Sequence, residues 1–218
     1  PASRTVLARL SAKDVGALKL HCSYEDRIAG IPCFVARTGY TGELGFELNT
    51  PSERAADLWH SLMEAGKDHG VTPAGLGARD LLRLEMGYLL YGNDINEQTS
   101  PLEAGAEWTV SFQKGSFLGR DALLAQKNSG TRQRFIAFEL TEKGVPRHGF
   151  PILDPSLSHT IGVVTSGNLS PLLQKGIGLG YVPASHATPG TGVAIDIRGK
   201  VLPANVVKAP FYKRPKVG

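Results

Sequence analysis

Cysteine is scarce in this chain of 218 residues: Cys22 and Cys33 are the only two. Neither belongs to a CxxC or stands among histidines at ligand spacing, which leaves a structural zinc site without support. One potential bridge is not the framework of a small secreted domain, so the pair, flanking a polar turn expected at 25–30, is expected to be reduced and structural. The six histidines form no HExxH, and catalytic zinc is unsupported. Long apolar runs are absent as well: none approaches the ~18–20 residues that span a bilayer, and no signal-peptide pattern opens the sequence. With 41% hydrophobic and 20% charged residues the composition is that of a soluble globular protein, expected to be cytoplasmic with no membrane association.

Other familiar chemistry is excluded in the same way. Ser166 lies in TSGN rather than in a GxSxG elbow. Gly39, Gly42 and Gly45 run into a strand rather than opening a helix, and GIGLG at 176–180 is followed by strand and proline, so neither cradles a dinucleotide. The net charge of +4 gathers partly in the tail at Lys208, Lys213, Arg214 and Lys216. No basic helix or RNP-like motif accompanies it, and no nucleic-acid partner is expected. The tail reads as a solvated terminus, or as a contact for an anionic substrate tail or acidic protein.

What is present reads as an α+β region followed by a β-rich one. Helical text at 5–10 and 14–18 leads to strands expected at 19–23, 33–37 and 46–49. Ala55, Leu58, Trp59, Leu62 and Met63 then form one apolar stripe of a helix that stops near Gly66 or Gly70. A second helix is expected over 75–86, with Gly87 as its stop or kink, then a strand at 106–112 and a short helix at 119–127. Polar 128–134 is the candidate linker, giving domains 1–127 and 135–218. Short strands at 135–140, 160–165, 176–181, 192–198 and 201–208, separated by Gly and Pro turns, suggest a small closed barrel.

Glu47 follows a tight turn within a strand. A carboxylate so held can accept two parallel hydrogen bonds from an amidine-like edge, or it can simply face solvent. Arg79 and Arg83, at i and i+4, project from one helical face and could clamp carboxylate or carbonyl groups. A surface lattice with Asp80 and Glu85 fits the same spacing.

Several segments resemble one family in the right order: RTGYTGELGFEL (37–48), GLGARDLLRLEMGYLLYGND (75–94), SPLEAG, FLGRDAL, VTSGNLSP and GIGLGYVP. They are similar to the aminomethyltransferase, or T-protein, of the glycine cleavage system, across essentially the whole chain. The resemblance implies a folate-binding α/β unit followed by a C-terminal β-barrel. Glu47 would hold the amino-pyrimidinone edge of tetrahydrofolate, Arg79 and Tyr40 would line the folate, and Tyr88 would be a further contact. Nine residues at about 100° each put Tyr88 opposite Arg79 on a continuous helix, so the helix must end or bend near Gly87. The implied reaction passes a methylene unit from the aminomethyl group on the lipoyl arm of the H-protein to tetrahydrofolate, releasing ammonia. The aspartate that the family places near the attacking nitrogen has no matching segment here. The chain, which begins at Pro1, is therefore expected to be a C-terminal portion with weak or no turnover alone and no catalytic residue to assign. A folate-dependent demethylase of the same fold and a non-catalytic folate-binding fragment are the alternatives. An accessory protein of iron–sulfur assembly is disfavoured, because Ser116 stands in KGSFLGRD where its signature cysteine would be.

Overall fold

The computed structural model describes residues 2–157 and 159–213; Arg214 and Lys216 of the basic tail lie outside them. The chain forms two compact units, one ending at Leu82 and the other beginning at Arg83.

In the first unit α1 (Ser3–Ala8) precedes three antiparallel strands, β1 (Ser23–Ile28), β2 (Ile31–Ala36) and β3 (Glu47–Asn49), in the order β1-β2-β3. Strict alternation builds the sheet. Ile31, Cys33 and Val35 of β2 are buried while Pro32 and Phe34 between them are exposed, the period that one buried face requires. The buried set packs with Leu7, Val15, Leu18, Ile28 and Leu58 into this unit's core. Leu58 comes from α2 (Ala55–Ala65), whose C-cap is Gly66; of the expected stripe Leu58 is buried and Leu62 and Met63 half-buried, while Ala55 and Trp59 are exposed.

Three local expectations are corrected here. The turn expected at 25–30 is mostly strand, since Glu25 and Arg27 alternate outward along β1; the reversal needs only Ala29 and Gly30, both at positive φ. No helix forms at 14–18, because the Asp14 carboxylate accepts the Gly16 N–H at 2.7 Å and closes a local turn in its place. The strand expected at 19–23 starts at its last residue, because His21, at φ +59°, interrupts extended backbone. Cys22 is exposed and Cys33 buried, both as free thiols.

The second unit holds α4 (Arg120–Ser129) and a closed antiparallel barrel, β4 (Gln133–Leu140), β5 (Pro151–Leu153), β6 (Thr160–Ser170), β7 (Lys175–Pro183), β8 (Gly192–Ile197) and β9 (Lys200–Val207), in the order β4-β7-β6-β5-β8-β9. Pairing of β4 with β9 closes it. Phe138, Ile152, Val164 and Ile195 are fully buried at its centre. The glycines of GIGLG serve close packing. A Cβ on Gly178 would enter the Phe138 ring, and one on Gly180 would stand 2.5 Å from the Val163 carbonyl oxygen. The strand expected at 106–112 is instead a single 3-10 turn, Glu107–Thr109, tied by the Thr109 hydroxyl to the Ala106 carbonyl. α4 continues to Ser129 and β4 begins at Gln133, so only 130–132 lie between them. α3 (Leu76–Glu85) starts in the first unit and ends in the second. No helix of the described residues is long and apolar enough to cross a membrane.

Candidate functional site

Glu47 is the first residue of β3 and pairs across the strands with Ala36. Its side chain is exposed, on the face of the sheet that Phe34 and Asn49 share. Its cross-strand neighbour Ala36 is small. A cleft of about 780 Å³ is lined by Lys13, Arg27, Phe34, Asn49 and Thr50, and two of these belong to Glu47's face. Glu47 itself is not part of its lining.

Tyr40 sits on the connection between β2 and β3, and Arg79 one turn into α3. The structure brings them together: the Arg79 guanidinium lies 4.9 Å from the centroid of the Tyr40 ring. A planar cation over an aromatic face is attracted by the ring quadrupole, and stacking leaves the edge N–H groups of the guanidinium for other acceptors. The arrangement can therefore offer a flat ligand an aromatic ring and its anionic groups a held cation.

Arg83 does not join Arg79 in a clamp, and neither it nor Glu85 takes part in a surface lattice, because both are buried. One helical turn on, its side chain is 1% exposed and pairs at 2.6 Å with Asp94, 0% exposed. Glu85 is likewise buried and accepts the Ser170 hydroxyl. An arginine and an aspartate so deep need partners for their polar atoms. Arg83 also donates to Ser166 Oγ at 2.7 Å and to the Tyr88 carbonyl at 3.1 Å, while Asp94 accepts the Ser166 hydroxyl at 2.8 Å, the Thr165 hydroxyl and the Leu90 N–H at 2.9 Å. Sequence reasoning met YGND and VTSGN as segments of the family resemblance and did not link them; nothing in the local pattern of either points to the other.

Tyr88, 36% exposed, stands three positions beyond the end of α3. Gly87 at φ +66° reverses the chain: its N–H reaches the Leu84 carbonyl at 2.8 Å and that of Tyr88 the Arg83 carbonyl at 2.9 Å. These are the paired bonds of a glycine-terminated helix. The helix thus stops just before Gly87, the glycine expected to end or kink it. Tyr181, from β7, donates to the Asp94 carbonyl at 2.8 Å, and burial pushes its phenol up to about 12.

Comparison with known proteins adds to this geometry. The family described as GCVT N-terminal domain matches residues 1–114, and the Glycine cleavage T-protein C-terminal barrel domain matches residues 133–213. An aminomethyltransferase of Halothermothrix orenii is 49% identical over 97% of this chain and 58% of its own length. Another, of Thermosynechococcus vestitus, is 46% identical over 99% of this chain and 57% of its own. A crystal structure of glycine cleavage system aminomethyltransferase T from Bartonella henselae superposes with a TM-score of 0.86 at 33% identity, over 96% of this chain and 56% of that one. The chain spans somewhat more than half the length of the relatives it matches.

Proposed function

This chain belongs to the glycine cleavage T-protein family, and we propose that it supplies the tetrahydrofolate-binding part of an aminomethyltransferase. In the proposed reaction a methylene unit passes from an aminomethyl group on the lipoyl arm of an H-protein to tetrahydrofolate, with release of ammonia. Tetrahydrofolate supplies the nitrogen that accepts the carbon; the residues of this chain bind and orient it. Folate binding is assigned to 1–127, and the barrel runs from β4 at Gln133 to the end of β9 at Val207.

The observation that carries the reading is the Tyr40–Arg79 stack in the same unit as a strand-borne, solvent-facing Glu47. This donor and acceptor set fits a reduced folate. Glu47 offers two carboxylate oxygens to the amino-pyrimidinone edge, Tyr40 an aromatic surface, and Arg79 a cation suited to the carboxylates of the glutamyl tail. Tyr88 is assigned as a further folate contact. Holding the folate nitrogen in one orientation is the main contribution to rate that such residues can make.

Calorimetric titration of the chain with tetrahydrofolate tests the assignment. Glu47→Ala is expected to weaken binding by about 1.5–3 kcal/mol, the cost of a lost charged hydrogen bond, and Arg79→Ala to weaken it as well. Parental affinity in both variants would overturn the site. Transfer from a lipoyl-bound aminomethyl group, compared with methyl transfer from a small methylated amine, separates the proposed reaction from demethylation.

A further inference from the structure

An exposed aromatic side chain binds well when the backbone that carries it is already fixed. Tyr88 and Tyr91, 36% and 67% exposed, lie on the loop 86–95, which contains no helix or strand. Buried side chains fix this loop instead. Arg83 holds the Tyr88 carbonyl with Nη1, the same nitrogen that meets Asp94 Oδ2, and Oδ2 accepts the Leu90 N–H. Two backbone groups on either side of Leu89 are thereby tied to one ion pair. The pair is tied in turn to β6, through Arg83 Nη2 to Ser166 Oγ and through the Ser166 and Thr165 hydroxyls to Asp94 Oδ1. All of these residues belong to the second unit.

Stability alone does not call for such an arrangement, since apolar side chains of similar volume commonly serve a core as well as a buried ion pair does. What apolar packing cannot supply is directional bonding to particular loop atoms. An arginine fork does this, because its donors leave in fixed directions.

We propose that Arg83, Asp94 and Ser166 are positioning residues for folate binding, which fix the backbone at 88–90 and so the direction in which Tyr88 is presented. The inference rests on the assignment of Tyr88 as a folate contact. It gives a function to an arginine that is buried rather than solvent-facing, and links the YGND and VTSGN motifs to the proposed ligand through one backbone segment.

The test is a titration of the 218-residue chain with tetrahydrofolate, with thermal unfolding followed in parallel. Ser166→Ala is expected to weaken binding about tenfold, and Ser166→Thr, which keeps the hydroxyl, to restore it. Asp94→Asn should act in the same direction, and Ser166→Ala carries the test if that variant does not fold. In a Tyr88→Ala background, Ser166→Ala should cost no further affinity while lowering the melting temperature as much as before. Equal losses of affinity with and without Tyr88 would mark a merely structural role and overturn the proposal, as would parental affinity in Ser166→Ala. Parental affinity in Tyr88→Ala, with Glu47→Ala still weakened, would remove Tyr88 from the site and the inference with it, while leaving the folate reading intact. Loss of the effect at Glu47 as well would instead overturn the folate reading.

Discussion

Arg83 and Asp94 lie 11 positions apart and share a bond that water does not reach. The consequence of such burial is asymmetric. Arg83→Met leaves a carboxylate with no cation, and Asp94→Leu leaves a guanidinium with no anion; each is expected to destabilise the chain by about 3–5 kcal/mol. The double variant removes both charges and should cost less than either single change. Urea unfolding of the three variants checks this, and a double variant worse than both singles would refute it. The exposure of Glu47 was legible from its place in an alternating strand. The burial of Arg83 was not, for Arg79 and Arg83 are equivalent by spacing, and the partner Ser166 stands 83 positions away, beyond any local pattern.

Among the elements, α3 depends on two glycines in opposite ways. Gly87 adopts φ +66°, and a Cβ there would stand 2.7 Å from the Cβ of Ala209. Gly87→Ala is expected to cost more than about 1 kcal/mol, from backbone strain and from the contact. Gly77, inside the same helix, has nothing within 4 Å of its Cβ direction, so Gly77→Ala should stabilise by about 0.5–1 kcal/mol. Denaturant midpoints of opposite sign are the expected outcome; a gain at Gly87 would contradict the cap. Helix α2 was visible in advance because apolar period and glycine stop agree, α3 because residue propensity and glycine stop agree, and five barrel strands because turns punctuate them. β5 went unseen, since three residues after Phe150 are too few to show alternation. At 14–18 and 106–112 short side-chain to backbone bonds outcompeted the propensity of the residues, a contest that periodicity does not register.

For the whole molecule the sharpest expectation concerns alkaline pH. Burial, with smaller contributions from Asp94 and Glu103, raises the Tyr181 phenol to about 12, so the fold favours its neutral form. In the unfolded chain the same group titrates near about 10. This contribution to stability is therefore complete below about pH 10 and is lost as pH rises through about 12, because the unfolded state releases the proton first. Urea midpoints measured between about pH 9 and about pH 11 should fall in the parent, and Tyr181→Phe should fall less steeply. Equal slopes would show that Tyr181 is not the group responsible.

The glycines packed between the barrel strands have a consequence in the genetics of the chain. A Cβ on Gly162 would collide with the Tyr181 carbonyl, on Gly167 with Pro146, on Gly176 with the Gly144 carbonyl and on Gly178 with Phe138. Every single-base missense change of a glycine codon adds at least that one carbon. At these positions no gentle allele exists, and a screen for loss of the proposed folate binding will recover barrel glycines alongside the residues proposed to contact folate. Steady-state abundance of each variant, measured beside its affinity, is what separates the two groups.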